Sequence, residues 1–330
     1  MSDPTFDSFA VERLIQDFAA PVLPQHRPDP ATLDVSDRNA RYWTSNVTGP
    51  LKPGSDAHRR EMCRMFRETF NPYRPSVLEW PKLEPDALER IVSLPIWDIA
   101  VQTEGKARLR MAAYAATVNE PDVREAIALN AWEENRHKEV LSRMVAAYGI
   151  SLLSEAPYVH PRNTEWAYLV TGYSECIDSF FAFGLFESAK RSGFFPAELV
   201  ETFEPVIHEE CRHILFFVNW AAWHRRNMPF WRRPLFELKV LAVWLFLIWE
   251  RIGIARDVGS GVQDNNFTVT GAKAIGADID VAELVDICVA ENERRMSVYD
   301  RRLLRPFAVP ALAKLVRRFM RSDSKPKTRT

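Results

Sequence analysis

Two five-residue runs of matching pattern stand 76 residues apart: Glu133-Glu134-Asn135-Arg136-His137 and Glu209-Glu210-Cys211-Arg212-His213. Each holds a Glu-x-x-His pair, Glu134 with His137 and Glu210 with His213. On an α-helix, positions i and i+3 share a face about one turn apart. A carboxylate and an imidazole placed there can grip one metal ion from the same side. Two such pairs on facing helices make a cage for two ions. With seven histidines in the chain, one such pair is unremarkable. Two pairs inside the same E-E-x-R-H pattern are a far more specific signal. The bland alternative is two helix histidines beside surface carboxylates.

A two-metal helical cage also takes a carboxylate from each of two further helices. Residues of two antiparallel helices stand at one height when they are equidistant from the turn. Glu104 is 17 residues before Pro121 and Glu134 is 13 after it, so the two should face each other. Glu104 lies in an uncharged patch, Ala100-Val101-Gln102-Thr103-Glu104-Gly105, which suits a ligand better than a solvated face. The other helix offers two acids on one face: Glu175, 35 residues before Glu210, and Asp178, 32 before it. Strict symmetry about the turn favours Asp178. A longer, Gly-containing turn favours Glu175, as does the preference of such sites for Glu. Glu175 is the choice made here, with Asp178 left as a nearby acid in contact with ligands or substrate.

Elements of the right kind are available to position these residues. From Leu83 onward the chain is rich in Ala, Leu, Glu and Arg and reads as helical, with strand-like alternation almost absent. Stop and start signals cluster at Asn119–Asp122, Ala156–Asn163, Ser192–Pro196 and Asn227–Pro229. They divide the segment into helices near 92–118, 122–148, 163–191 and 196–226, followed by 233–257, 281–304 and 309–320. Four long helices joined by short loops and one crossover near 149–162 make a four-helix bundle plan. Nine of the 22 prolines lie in the first 80 residues, which read as an irregular arm wrapped on the core. That arm should contain one helix near Asp56–Phe70, with Met62, Met65 and Phe66 on a single face. The expected division is an N-terminal arm over 1–82, a helical domain over 83–305 and a basic helix and tail over 306–330.

Composition narrows the function classes. The chain has 330 residues, 43 Lys and Arg against 44 Asp and Glu, and a net charge of −1, which argues against a nucleic-acid binder. Its four cysteines, Cys63, Cys176, Cys211 and Cys288, are dispersed, which suits a reducing, cytoplasmic setting. The opening MSDPTFDSFAVERL lacks the pattern of a signal peptide. Val240–Trp249 is an uninterrupted run of ten apolar residues, half of what a spanning helix needs. It reads as a buried core helix, with a helix lying on a membrane or a partner as the lesser reading. Seven Lys and Arg between Lys314 and Arg329 face one acid, Asp323. They read as a solvated end, or else as a dock for an acidic electron-transfer partner or an anionic membrane. Glu291-Asn292-Glu293-Arg294-Arg295 reads as an exposed, salt-bridged face.

Glu104, Glu175 and the two E-E-x-R-H runs resemble the ferritin-like di-iron carboxylate oxygenase superfamily. The motifs are most similar to hydroxylase subunits of bacterial multicomponent monooxygenases and to arylamine N-oxygenases. Those families use D-E-x-R-H twice, so Glu133 and Glu209 replace Asp with charge kept. The resemblance covers about Leu94–Trp223. It implies an all-α, ferritin-like four-helix bundle with additional C-terminal helices. It implies that Glu104, Glu134 and His137 hold one iron and Glu175, Glu210 and His213 the other, with Glu134 and Glu210 placed to bridge. Catalysis would then rest on Glu104, Glu134, Glu175 and Glu210. Glu133, Arg136, Glu209 and Arg212 would support the ligands from behind. Three positions narrow the subfamily. Leu141 stands where radical-generating reductase subunits carry Tyr. Val206 stands where some N-oxygenases carry a third His. Ser179 stands where oxygenases often carry a hydroxyl, though a small residue there also permits close helix packing.

The implied activity is an oxidoreductase that activates O2 to hydroxylate or N-oxygenate a small organic substrate. Carboxylates with imidazoles suit iron or manganese, and Fe/Fe is expected ahead of Mn/Fe. Trp97, Phe180, Phe181, Phe183 and Phe186 could wall the site, or could simply be core. An electron-donor protein or other reductant and a homodimer are also expected. A ferroxidase, rubrerythrin-like peroxidase or manganese catalase is the second reading. A non-catalytic metal- or ligand-binding bundle is the third.

Overall fold

A computed structural model describes residues 29–72, 80–94, 96–152, 159–257 and 280–320. The signal-peptide reading, the first part of the proline-rich arm, the middle of the crossover and the tail beyond Met320 fall outside the described residues.

The described residues form ten α-helices and no strand. They are α1 (Pro30–Ala40), α2 (Asp56–Thr69), α3 (Pro85–Val92), α4 (Trp97–Ala115) and α5 (Pro121–Ala147). Then follow α6 (Thr164–Ser192), α7 (Ala197–Asn227), α8 (Arg233–Asp257), α9 (Val281–Met296) and α10 (Ala308–Met320). Start and stop chemistry agrees with the sequence. Pro121 opens α5, and the Asn163 side chain accepts from the Trp166 N–H at the head of α6. Gly193 closes α6 in the left-handed region, at φ 67°. Two expected helices are shorter than their patterns. The 92–118 helix runs only from Trp97 to Ala115, with Val92 ending the separate α3, because the residue before Pro95 is disfavoured in helical conformation. The 281–304 helix stops at Met296. Tyr299 then pairs with Trp43, and Asp300 accepts from the Ser45 N–H at 3.0 Å, tying the N-terminal segment to this turn.

Helices α4 to α7 pack around a common centre: α4 against α5 and α6, α7 against α6 and α5. Helix α2 covers α5 and α7, bringing Met62, Cys63, Met65 and Phe66 fully into the main core. An aromatic stack joins the helices at one end. Tyr114 of α4 lies on Tyr168 of α6 at 4.5 Å, with Trp220 of α7 edge-on at 4.7 Å from Tyr168. Helix α6 carries the closest approaches. A Cβ on Gly184 would meet Cys288 Sγ of α9 at 2.2 Å, so only glycine lets α9 sit there. All four cysteines are buried and unpaired, and burial raises each thiol's pKa, which makes them inert.

Three expectations are corrected by the packing. The 240–249 run is not a buried helix: within it only Val243 and Leu247 are buried, while Leu241, Leu245, Ile248 and Trp249 are exposed. Helix α8 packs by one face alone, against α6 and α7. The 291–295 run is exposed only at Glu293 and Arg294, while Glu291, Asn292 and Arg295 are buried. Arg295 is 2% exposed, pairs with Glu204 at 2.8 Å and lies over the Phe183 ring. The five aromatics do not form one wall either. Trp97 sits in a cluster with Ile91 and Met144, Phe183 in the main core, and Phe180 and Phe181 under α9 and α10.

One ion-pair node joins three helices. Glu165 of α6 accepts from His224 Nε2 of α7 at 2.7 Å and from Lys239 of α8. His224 and then Lys239, outweighing burial, hold the Glu165 carboxyl down at about 2 against an ordinary 4.5. A depressed folded value gives stability that is complete above the unfolded pKa and is lost as pH falls through the folded one. Acid unfolding followed by helical circular dichroism should therefore show a stability loss between about pH 4.5 and 2 that is smaller in Glu165→Gln. An unchanged profile in that window would show that the node contributes nothing.

Candidate metal centre

The centre lies where α4, α5, α6 and α7 face one another. The i and i+3 spacing works as expected on α5 and α7. Glu134, His137, Glu210 and His213 come together, with one ligand atom from each within 4.8 Å of all the others. This buried group could hold a metal ion. His137 Nδ1 lies 3.0 Å from Glu210 Oε1, and His213 Nδ1 lies 2.8 Å from Glu134 Oε1. The two rings are stacked, with centroids 5.4 Å apart. Each histidine is thus brought against the carboxylate of the other motif.

The two carboxylates chosen from the remaining helices lie beside this group of four. Glu104 Oε2 lies 3.8 Å from His137 Nδ1. Both Glu175 oxygens are buried without a hydrogen-bond partner, and this acid acts electrostatically on Glu134. Asp178, the competing acid, is committed elsewhere: it pairs with Arg251 of α8 at 2.7 Å and accepts from Ser174 at 2.8 Å. This arginine comes from a helix outside the central four, so symmetry about the turn could not reveal it. The Ser179 hydroxyl stands 3.5 Å from Glu210 Oε2.

Behind the cage the two motifs are crossed. His213 Nε2 bonds Glu133 of the other motif at 2.9 Å, and His137 Nε2 bonds Glu209 at 2.8 Å. Arg212 pairs with Glu133 at 2.6 Å, and Arg136 pairs with Glu209 at 2.6 Å. Sequence reasoning expected each arginine to neutralise the acid of its own run. Within a run the separation is 3.4 Å for Arg136–Glu133 and 3.8 Å for Arg212–Glu209, so the principal partners are exchanged. All four side chains are buried, which removes the reading as surface ion pairs. A carboxylate on Nε2 sets the tautomer and turns the Nδ1 lone pair toward the cage.

Helix α2 and the residues after it complete this layer. Arg212 donates to Thr69 Oγ1 at 3.3 Å, and Arg136 donates to the Asn71 carbonyl. Arg212 also lies over the Phe66 ring at 5.2 Å, and Arg136 over Trp132 at 4.8 Å. None of these α2 contacts was legible from the motif. The available signal was the α2 apolar face, which had to cover something. His208, beside the second motif, bonds Tyr299 at 2.9 Å and faces away from the ligands.

Electrostatics separates the acids into two kinds. Burial, then Arg212 and His213, act on Glu133, and the cations win, so its pKa is lowered. Glu209 behaves alike through Arg136 and His137, and Glu210 through His213 and His137. Glu134 is pushed well up, by burial first and then by Glu210 and Glu104. Glu175 is pushed well up by burial and then Glu210. Burial pulls both imidazoles down, but the surrounding carboxylates outweigh it and hold His137 and His213 well above their ordinary value. Protons therefore collect on the groups that a divalent cation would claim.

The chemistry of the donor set fits a metal. Glu134 Oε1, both Glu175 oxygens, His137 Nδ1 and His213 Nδ1 are buried and lack hydrogen-bond partners. Buried polar groups are normally satisfied, and a concentration of such donor atoms in one place is what a bound cation would use. Four carboxylates against two divalent cations are neutral overall. Compared with family models, with curated proteins and with solved structures, the chain matches none.

Proposed function

We propose that the cage holds two iron ions in a ferritin-like four-helix bundle, and that the protein is an O2-dependent oxidoreductase acting on a small organic molecule. The crossed pair of E-E-x-R-H motifs, with its orphaned donor atoms turned inward, carries this reading. Glu104, Glu134 and His137 would hold one ion, and Glu175, Glu210 and His213 the other. Two adjacent iron ions supply the electrons and open coordination positions for reducing O2. The chain's own residues do the rest. Glu133 and Glu209 orient the imidazoles, and Arg136 and Arg212 keep those two acids ionised. Glu104 is the most open ligand, its side chain 22% exposed against 2% or less for Glu134, His137 and His213. Substrate and O2 would approach from that side. Hydroxylation or N-oxygenation of the substrate is the expected outcome, with electrons from a separate donor.

The experiment is metal analysis of protein from iron-supplemented cells, with visible spectra after reduction and O2 exposure, on wild type and His213→Ala. About two irons per chain in wild type, and about one in a folded His213→Ala, are expected. Two retained irons with full activity in the variant would remove His213 from the site. Less than one metal in wild type after reconstitution would end the di-iron reading. Oxidation of iron(II) or removal of peroxide without organic substrate would turn it toward ferroxidase, peroxidase or manganese catalase.

A further inference from the structure

Helix α8 hides one face and displays another that has no reason to meet water. Leu235, Leu238, Leu241, Leu245, Ile248 and Trp249 recur every three or four residues and are all exposed, Trp249 at 70%. They make a single stripe along the helix. Trp231, 61% exposed beneath the Arg232 guanidinium, extends it at the N-terminal end. Helix α10 repeats the pattern. Leu312, Leu315, Val316 and Phe319 stand at i, i+3, i+4 and i+7 and are exposed, while Ala313 is the residue it buries. Scattered exposed hydrophobics are ordinary, but two continuous stripes mark an interaction surface. The helices pack on adjacent stretches of α6. Arg251 of α8 reaches Asp178, and Val309 and Ala313 of α10 cluster with Phe180 and Phe181.

Charge identifies what covers them. Residues 225–251 and 307–330 hold thirteen Lys and Arg and only three acids. Four of these cations meet acids from outside the segments, Lys239 with Glu165, Arg251 with Asp178, Lys314 with Glu293 and Arg317 with Asp286, which leaves a surplus of six positive charges on a chain whose net charge is −1. A second copy docked through a two-fold axis would set this basic surplus against itself. Anionic headgroups would neutralise it, while the stripes enter the acyl boundary. Among the described residues no helix is long and apolar enough to cross a membrane, so the helices lie on it.

We propose that α8 and α10 seat the protein on the surface of an anionic lipid bilayer. Apolar burial and charge attraction act together, as for interfacial amphipathic helices. This inference stands apart from the metal reading, because none of its residues belongs to the cage.

The test is flotation of the full chain with phosphatidylcholine vesicles and with phosphatidylcholine–phosphatidylglycerol vesicles, at low and high salt. Wild type should float with the anionic vesicles at low salt and less so at high salt. The double variant Leu241→Asp, Leu245→Asp should bind about tenfold or more weakly while keeping its helical circular dichroism. Brominated lipid should quench wild-type tryptophan fluorescence, and Trp249→Phe should remove part of that quenching. Wild type that stays out of the anionic vesicles at low salt overturns the proposal. So does flotation unchanged in the double variant. A concentration-dependent dimer that the double variant disperses, without vesicle binding, overturns it in favour of a second copy.

Discussion

Glu133→Ala destabilises the fold by about 3–5 kcal/mol and weakens metal retention about 10- to 100-fold. The residue touches no metal position in this arrangement; its effect comes from what it leaves behind. Arg212 is fully buried, and its strong ionic contact is Glu133 at 2.6 Å, with Glu209 next at 3.8 Å. Removing the carboxylate strands a guanidinium in the interior, beside the Thr69 hydroxyl and the Phe66 ring. The same deletion frees the Nε2–H of His213, so the ring loses its orientation. Glu133→Gln separates the two effects: an amide oxygen can still accept from His213, but the charge opposite Arg212 is gone. Urea unfolding of the three proteins, with metal titration of each, measures both parts. A loss under about 1 kcal/mol for Glu133→Ala would place the pair in the class of weak surface ion pairs and would sink the crossed-brace account.

Metal loading raises the melting temperature and releases protons at neutral pH. With free metal at about 100 times its dissociation constant, binding adds about 2.7 kcal/mol, or about 4 °C in Tm for a chain of this length. The proton release follows from the metal-free electrostatics. Burial and neighbouring acids hold protons on Glu134 and Glu175, and the carboxylate ring holds them on His137 and His213. A divalent cation needs those ligands deprotonated and displaces the protons. Affinity should therefore fall as pH falls. Calorimetric titration in buffers of different ionisation enthalpy counts the protons, and a thermal scan with and without iron(II) gives the shift. A binding heat independent of buffer, with an unchanged Tm, would show that the cluster takes up no cation.

The residues of the two E-E-x-R-H runs determined a good deal unaided. Period 3.6 is a local property, so Glu134 and His137 had to share a face wherever α5 ran, and so did Glu210 and His213. Helix starts at Pro121 and Asn163 and the stop at Gly193 are equally local, because capping satisfies backbone groups within one turn. Counting from the turns was enough to bring Glu104 beside the second helix, 3.8 Å from His137. What counting could not supply was every relation between chain segments without a short connection. Asp178 is held by Arg251, 73 residues further on, a contact that no count from the turns could show. The exchange of acids between motifs depends on how α5 and α7 face each other across the centre, not on either sequence run. The Thr69 and Asn71 acceptors come from a proline-rich region that carries no motif, and their role exists only because α2 lies over α5 and α7. The same limit explains α8. A run of ten apolar residues has one hydrophobicity whether it is buried or bare, and only the position of α6 and α7 along one face decided that the other face would stay open.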